Sequence, residues 1–272
     1  MVYKGSMNTK PTNGRTAVVI GASGGLGRAL TMALCQRPDW RVVALSRGRP
    51  DQTLFGDPAL SAETNHGPAA GRLHWQQIDA TDPLQLAAAA ARTATDHGRV
   101  HLLINCVGVL HGSLHGGPEE PPLSPEKSLS TLRLENLQHS VAVNAFAPLA
   151  ALQAYLPLLR HEEGAVAATL SAMVGSIADN ALGGWYSYRM SKAALNMGLR
   201  NAAIECARLR DGPCVVAIHP GTTLTPLSEP FVRRHSHRTP AESAEHILQV
   251  LAGLSAEDTG KFLNWDGREI PW

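Results

Sequence analysis

Short runs of apolar and β-branched residues recur along the chain, and most are followed by a segment with helical periodicity. Within a run, apolar and polar positions do not alternate, which is typical of parallel strands whose two faces are both covered. The strands predicted from these runs are 16–20, 41–45, 73–78, 101–105, 165–170, 214–218 and 261–264.

Helical segments fill most of the intervals between these strands. In one of them Asp82 is placed to cap a helix whose first residue is Pro83. The alternation predicts an α/β fold of the Rossmann-like type, a doubly wound parallel sheet of about seven strands with helices on both faces. Ligands of such sheets bind beyond the carboxyl ends of the strands. The predicted helices are 26–37, 83–97, 130–159 with a bend near Pro148, 186–208 and 241–253.

The pattern shows no internal repeat and no break between domains. Residues 1–15 are polar, so we expect a flexible leader followed by a single domain over 16–272. The stretches 47–71 and 108–127 are rich in Gly and Pro, which predicts surface loops. The basic, histidine-containing stretch 233–238 is expected to be a solvated loop as well, with a metal or anion site as the less favoured alternative.

Composition and charge exclude several classes of function. A net charge of +1 at pH 7 gives no field that favours nucleic acid or an anionic membrane. No uninterrupted apolar run reaches the roughly 18 residues of a membrane span. The cysteines lack metal-ligand spacing, so reduced, mostly buried thiols in a cytoplasmic protein are expected rather than a metal site or a disulfide. They are Cys35, Cys106, Cys206 and Cys214.

A glycine-rich turn, Gly-Ala-Ser-Gly-Gly-Leu-Gly, lies between the first predicted strand and the first predicted helix. Glycines permit a tight turn and a close approach to a pyrophosphate, and the free N–H groups of the following helix hold the phosphates. The position of the turn predicts a dinucleotide site. The candidate contacts are Gly21, Ser23, Gly25, Leu26 and Gly27.

The end of the second predicted strand bears on which dinucleotide binds. A carboxylate there would bind the ribose 2′-hydroxyl of NAD and repel a 2′-phosphate. This chain instead has Ser46 and Arg47, with Arg49 close behind. Because a guanidinium suits a phosphate, NADP(H) is expected in preference to NAD(H).

Tyr188 and Lys192 are four residues apart on a predicted helix, which places them on one face within mutual reach. A nearby ammonium favours the phenolate and is expected to lower the pKa of the phenol toward the range of a general acid–base catalyst. Asn196 lies one further turn along this face. Tyr186 has no equivalent cationic partner and is interpreted as a residue of the pocket wall.

With the glycine turn and this pair, the chain resembles the short-chain dehydrogenase/reductase family from about residue 16 to its C-terminus. The segments 188–196 and 265–272 are most similar to those of the C-factor and sniffer-type carbonyl reductases. The resemblance assigns Asn144 to the water of the proton relay and Lys192 also to the nicotinamide ribose. It implies an adenine contact at Asp79, with Ala80 following it, and contacts on the nicotinamide side at Pro220, Gly221 and Thr223. Further cofactor contacts are implied at Asn105, Val107, Gly108 and Tyr188.

The family's catalytic serine has an irregular counterpart here. In the segment 171–176, strict alignment places Ala172 at the catalytic position. A shift of one residue at the strand end would let Ser171 orient the carbonyl, and Ser176 is the less favoured substitute. Ser171 is therefore the expected catalytic serine.

The residues and the resemblance together predict an NADP(H)-dependent oxidoreductase that interconverts a carbonyl and an alcohol. The expected partners are a small carbonyl or alcohol substrate and further copies of the chain in a dimer or tetramer, without nucleic acid or membrane. Two alternatives stay open. One is an NADP-binding sensor or interaction protein with weak catalysis, which Ala172 would favour, and the other is an epimerase or dehydratase on a related fold.

Overall fold

Seven parallel strands form one sheet in a computed structural model that describes residues 14–48, 71–113, 122–231 and 237–272. The strand order is β3-β2-β1-β4-β5-β6-β7, so the doubly wound sheet predicted from the alternation of elements is confirmed. The leader over residues 1–13, Arg49 and most of the 47–71 loop lie outside the described residues. The strands are β1 Arg15–Ile20, β2 Trp40–Ser46, β3 Leu73–Gln77, β4 Leu102–Asn105, β5 Val166–Leu170, β6 Cys214–His219 and β7 Phe262–Asn264.

Helices cover both faces of the sheet, and most begin and end within two residues of the predicted bounds. Asp82 caps the second helix as expected, since its carboxylate accepts hydrogen bonds from the backbone N–H groups of Leu84 and Gln85. The helices are α1 Gly25–Cys35, α2 Pro83–His97, α3 Leu134–Val141, α4 Ala147–Leu159, α5 Tyr186–Cys206 and α6 Pro240–Ala252.

The long helix predicted over 130–159 is interrupted. It begins only at Leu134, and one π-helical turn, Ala142–Phe146, separates α3 from α4. The expected irregularity therefore lies just before Pro148 and takes the form of a widened turn, a feature that is frequent at functional sites.

Two apolar layers flank the sheet. Leu30, Leu34 and Ile247 belong to the layer beneath α1 and α6, and Tyr155 and Leu195 belong to the opposite layer. The helical run 134–159 is long and apolar enough, by length and composition alone, to cross a membrane. Tyr155 on this run is fully buried in the protein core, and the core helix of a globular protein passes the same test.

The strand order reverses between β1 and β4. Ile20 at the end of β1 pairs with Leu45 of β2 on one side and with Asn105 of β4 on the other. A crevice opens beyond the carboxyl ends of the strands at such a reversal, and this is where open α/β sheets bind ligands. The glycine turn follows Ile20 directly, so the fold places it in this crevice.

Candidate active site

A cavity of about 680 Å³ opens at the carboxyl ends of β1, β4, β5 and β6. The glycine turn forms one wall, and Tyr188 and Lys192 of α5 line the same space. The sheet thus brings together segments that are more than 160 residues apart in the chain, as the motifs predicted. Further lining residues include Ser23, Gly25, Leu26, Gly27, Val107, Gly108, Ser171, Pro220, Gly221 and Thr223.

Two glycines make the turn possible. Gly21 has a φ of 80°, and a Cβ there would lie 3.1 Å from the carbonyl carbon of Cys106. A Cβ on Gly27 would overlap the carbonyl oxygen of Gly21. The N-cap of α1 is Gly24, without any side-chain cap, so the first N–H groups of this helix remain available to an anion. The turn fits the pyrophosphate of a dinucleotide.

The end of β4 holds a buried amide whose N–H group has no partner among the described residues. Asn105 is 1% exposed, and its Oδ1 accepts a hydrogen bond from Val107 N at 2.9 Å. Its Nδ2 is buried without a partner in the part of the chain that the structure describes. A buried donor of this kind costs free energy unless an acceptor is supplied. The orphaned amide group therefore fits a bound cofactor.

The ends of β2 and β3 form the side predicted for the adenosine half. Ser46 is buried, and its hydroxyl donates to the carbonyl of Gly48 at 2.7 Å. Arg47 is exposed at the strand end, where neither residue carries a carboxylate. Among the described residues, Arg47 therefore supplies the charge at this strand end, and this charge is positive.

Asp79 follows β3 and starts the turn into α2. Its Oδ1 accepts hydrogen bonds from both the backbone N–H and the hydroxyl of Thr81, at 2.9 and 2.7 Å. These bonds fix the carboxylate and leave Oδ2 available, while Ala80 beside it is 8% exposed. The predicted adenine contact is thus held in a defined position.

Tyr188 and Lys192 lie together on α5, with Lys192 Nζ 6.0 Å from the centroid of the Tyr188 ring. Lys192 is 4% exposed, and its ammonium donates to the carbonyl of Leu170 at 2.9 Å. Burial raises the pKa of Tyr188 to about 12, and burial lowers the pKa of Lys192 to about 8. The expectation that the ammonium lowers the pKa of this phenol is not met, because burial outweighs the neighbouring charge.

Asn144 occupies the centre of the π-helical turn and is 0% exposed. Its Nδ2 donates to Val109 O and to Ser191 Oγ, both at 2.9 Å, and its Oδ1 accepts from Val109 N at 2.7 Å. Asn144 therefore ties the loop after β4 to α5. One lone pair of Oδ1 stays available for the water that the resemblance assigns to it.

Ser171 directly follows β5 and lines the cavity, but its proton is already used. Its Oγ donates to Asn196 Oδ1 at 2.6 Å. A hydroxyl has only one proton, so in this arrangement Ser171 cannot also donate to a substrate carbonyl. Ser171 was expected to orient the substrate carbonyl. In the structure its hydroxyl instead donates to Asn196, which lies one turn beyond Lys192 on α5.

The segment after β6 lines the side predicted for the nicotinamide. Gly221 has a φ of 70°, next to Pro220. The Thr223 hydroxyl hydrogen-bonds Ser243 Oγ at 2.7 Å, which anchors the segment to α6. Arg238, expected in a solvated loop, instead lies with its guanidinium carbon 3.6 Å from the centroid of the Trp265 ring.

Aromatic rings line the outer part of the cavity. The ring centroid of Trp185 lies 5.2 Å from that of Phe231 and 6.2 Å from that of Tyr188. His111 lies 5.6 Å from Phe231, and its Nε2 is 3.0 Å from the carbonyl oxygen of Pro226. Loops from three distant parts of the chain meet here. The sequence offers Trp185 and Phe231 as candidate pocket residues or core residues, but it does not predict the contacts between these rings.

Glu126 fixes the start of the helix that carries Tyr188. It is 5% exposed, and its carboxylate accepts hydrogen bonds from the backbone N–H and the hydroxyl of Ser187, at 3.0 and 2.5 Å. Its backbone carbonyl accepts from Trp185 N, and Trp185 itself has a φ of 50°. A carboxylate in the first turn of a helix also meets the positive end of the helix dipole. Glu126 falls in a stretch predicted to be loop, so the sequence did not single it out.

A second group of ionisable side chains lies far from this site, beside a cavity of about 710 Å³ that contains neither the glycine turn nor Tyr188. His101, His161 and Glu163 bring ligand atoms within 4.8 Å of one another. His101 Nδ1 accepts from Thr16 N at 3.1 Å, so its Nε2 carries the proton that Glu163 accepts at 2.7 Å. A metal would need that nitrogen bare, so His101 and Glu163 are organised as a hydrogen-bonded pair. His161 meets this pair through a ring contact with His101 at 4.8 Å, and its Nε2 lies 3.0 Å from the carbonyl oxygen of Val100.

Comparison with known proteins agrees with this geometry. Residues 15–235 match the family described as short chain dehydrogenase. A relative from Rhodococcus sp. (strain AD45), described as 1-hydroxy-2-glutathionyl-2-methyl-3-butene dehydrogenase, is 28% identical over 257 residues, which are 94% of this chain and 99% of the relative.

Solved structures share the fold over nearly the whole chain. The NADPH-bound carbonyl reductase from chicken fatty liver has a TM-score of 0.78 and 29% identity, covering 96% of this chain and 100% of that one. Carbonyl reductase Sniffer of D. melanogaster has a TM-score of 0.77 and 24% identity, with the same coverage. At 24% identity, the similarity to Sniffer supports the fold alone.

Substituting Gly27 by Ala tests the close packing of the turn. The added Cβ would overlap the carbonyl oxygen of Gly21, so α1 must shift away from the crevice. We expect a loss of about 1–3 kcal/mol in the free energy of unfolding and a large loss of dinucleotide affinity. Denaturant titration and NADPH fluorescence measure the two effects. Gly253→Ala is the control, because its added Cβ comes no closer than 3.6 Å to another atom; equal effects of both variants would contradict the packing argument.

Proposed function

The chain belongs to the short-chain dehydrogenase family of oxidoreductases, as the resemblance predicted, and we propose that it reduces a carbonyl to an alcohol with NADP(H). The observation that carries the proposal is the shared cavity. Tyr188 and Lys192 line the same space as Gly25, Leu26 and Gly27 at the uncapped start of α1. A cofactor bound there would supply the hydride, and the protein supplies position and protons.

Tyr188 is the proposed proton donor to the carbonyl oxygen. With a pKa of about 12 the phenol keeps its proton at neutral pH, which suits an acid in the reductive direction. Lys192 would supply positive charge beside the phenol as the proton leaves. The lone pair left on Asn144 would hold the water through which Lys192 recovers a proton.

The proposed preference for NADP(H) rests on the end of β2. Arg47 is exposed there, Ser46 occupies the position where a carboxylate would select NAD, and the chicken-liver structure holds NADPH. The aromatic cluster at the cavity mouth supports an apolar substrate body, since Trp185 and Phe231 offer wide, rigid contact surfaces.

Self-association is also proposed, through the outer face of α4 and α5. Phe146, which ends the π-helical turn just before α4, is 64% exposed, and Met190 and Met197 of α5 are 48% and 62% exposed. Exposed apolar groups of this kind are typical of interfaces. The cytoplasm remains the proposed compartment, which is compatible with four free thiols.

A second candidate function is an NADP-binding sensor with weak turnover. Ser171 donates its proton to Asn196, so this hydroxyl does not donate to a substrate carbonyl. Strict alignment places Ala172, which has no hydroxyl, at the position of the family's catalytic serine. Both features favour the sensor. Tight NADPH binding without oxidation across a broad carbonyl panel would support the sensor over the reductase.

Replacing Tyr188 by Phe removes the proposed acid while keeping the ring. We expect kcat for carbonyl reduction to fall by about 10²–10⁴-fold, the usual contribution of a general acid. NADPH affinity, followed by fluorescence, should change little. Tyr186→Phe on the same helix is the matched control and should retain turnover, so equal turnover of the two variants would exclude Tyr188 as the acid.

The pH dependence of reduction reports on Lys192. Its ammonium is lost as the pH rises through its pKa of about 8, whereas Tyr188 remains protonated to about 12. We therefore expect kcat/KM to be flat below this point and to decline above it. Lys192→Arg keeps its charge, so any activity it retains should decline only at higher pH. A profile of the native enzyme that stays flat up to about pH 10 would contradict the role of the ammonium.

Ser171→Ala distinguishes a structural hydrogen bond to Asn196 from a catalytic hydrogen bond to the substrate. Because the hydroxyl proton goes to Asn196, we expect the free energy of unfolding to fall by about 1 kcal/mol and kcat to fall by less than about tenfold. A donor to the developing oxyanion would cost about 10²–10³-fold in kcat instead. Stopped-flow reduction and thermal unfolding measure both quantities, with Ser176→Ala as the control.

A further inference from the structure

A second cavity of about 500 Å³ adjoins the active-site cavity. The two share Met173, His219, Gly221 and Thr222 in their walls, so a ligand of modest length can occupy both. Beyond this shared wall, the second cavity is lined by His237 and Arg238 before α6 and by Asn264 and Trp265 at the end of β7. No aspartate or glutamate of the described chain lines either cavity.

Arg238 is the cation of the second cavity, and its guanidinium is held in place. Its carbon lies 3.6 Å from the centroid of the Trp265 ring, a stacked cation–π contact. The group also packs against Gly221, where an added Cβ would overlap Nη2 and would come 2.7 Å from Cδ1 of Trp265. Its backbone N–H donates to Thr222 O at 2.9 Å, which fixes the residue to the segment after β6. The guanidinium is therefore preorganised.

No carboxylate of the described residues forms an ion pair with Arg238, and its Nε is buried without a hydrogen-bond partner. The two nearest acidic groups are engaged elsewhere. Glu242 accepts from Thr239 at 2.8 Å, and Asp266 pairs with Arg268 at 2.7 Å. The sequence 232–236, Val-Arg-Arg-His-Ser, contains no acid either.

The neighbours of Arg238 do not cancel its charge. His219 is largely buried, and burial with the nearby guanidinium lowers its pKa to about 4, so it is neutral at physiological pH. Burial also lowers the pKa of Arg238, but a guanidinium remains charged in proteins. Asp266 and Glu242 favour the charged form from a distance, but neither forms an ion pair with the guanidinium among the described residues. A bound anion would therefore stabilise this half-buried cation.

We propose that the second cavity binds the carboxylate of a substrate whose carbonyl group reaches Tyr188, with Arg238 as the recognition residue. The inference rests on the proposed reductase function and narrows its substrates to carbonyl compounds that carry an acid. The planar guanidinium offers paired N–H donors that match a carboxylate in a bidentate contact. The apolar part of the substrate would lie on Met173 in the shared wall.

The test compares acids with their neutral esters. The meta and para isomers of formylbenzoate, and the methyl ester of each, are offered with NADPH, and binding of all four is measured separately by calorimetry. We expect at least one acid to exceed its ester by about tenfold or more in kcat/KM and in affinity. Arg238→Gln should abolish this preference while leaving turnover of the esters unchanged.

Arg210→Gln, at a side chain that is 94% exposed, is the matched control and should keep the preference. Arg238→Lys retains the positive charge without the paired N–H donors of the guanidinium, and it should keep part of the preference for acids. This variant controls for a folding defect in Arg238→Gln. The proposal is overturned if neither acid is preferred, or if the preference survives in Arg238→Gln. If no aldehyde is reduced, the proposed reductase function fails. In that case, binding of an acid that depends on Arg238 still supports the carboxylate site. Absence of such binding refutes the carboxylate site.

Discussion

The carbonyl of Gly21 packs against the first turn of α1, and the backbone of Cys106 lies against the same glycine. This contact brings the ends of β1 and β4 and the start of a helix closer together than any side chain would permit. The uncapped N–H groups of α1 are thereby held at the crevice that the reversal of strand order opens. The proton-transfer pair lies across this crevice because α5 follows β5 in the sheet order and because Glu126 fixes the start of α5.

Burial governs the chemistry of that pair. A phenol and an ammonium that share an apolar environment both favour their neutral forms, which moves the pKa of Tyr188 up and that of Lys192 down. The spacing of the two residues indicates that they meet, but not how deeply they are buried. Sequence reasoning therefore located the pair and gave the wrong direction for the pKa of the phenol.

The sheet, its helices and the glycine turn could be predicted because each depends on residues that are near one another in the chain. Ser171 shows the limit of prediction from neighbouring residues, because its hydroxyl is bound by Asn196, which lies 25 residues away in the chain. The stacking of Arg238 on Trp265 and the meeting of His111 with Phe231 join loops whose relative positions no local pattern encodes. The interruption of the long helix by a π turn at Asn144 likewise depends on contacts with Val109 and Ser191.

Glu126 has a consequence for how the reacting group is held. Its carboxylate holds Ser187, 61 residues further along the chain, in the first turn of the helix on which the phenol is mounted. Glu126 is not among the residues that line the cavity. A substitution at Glu126 therefore acts on the reacting group from outside the walls of the site.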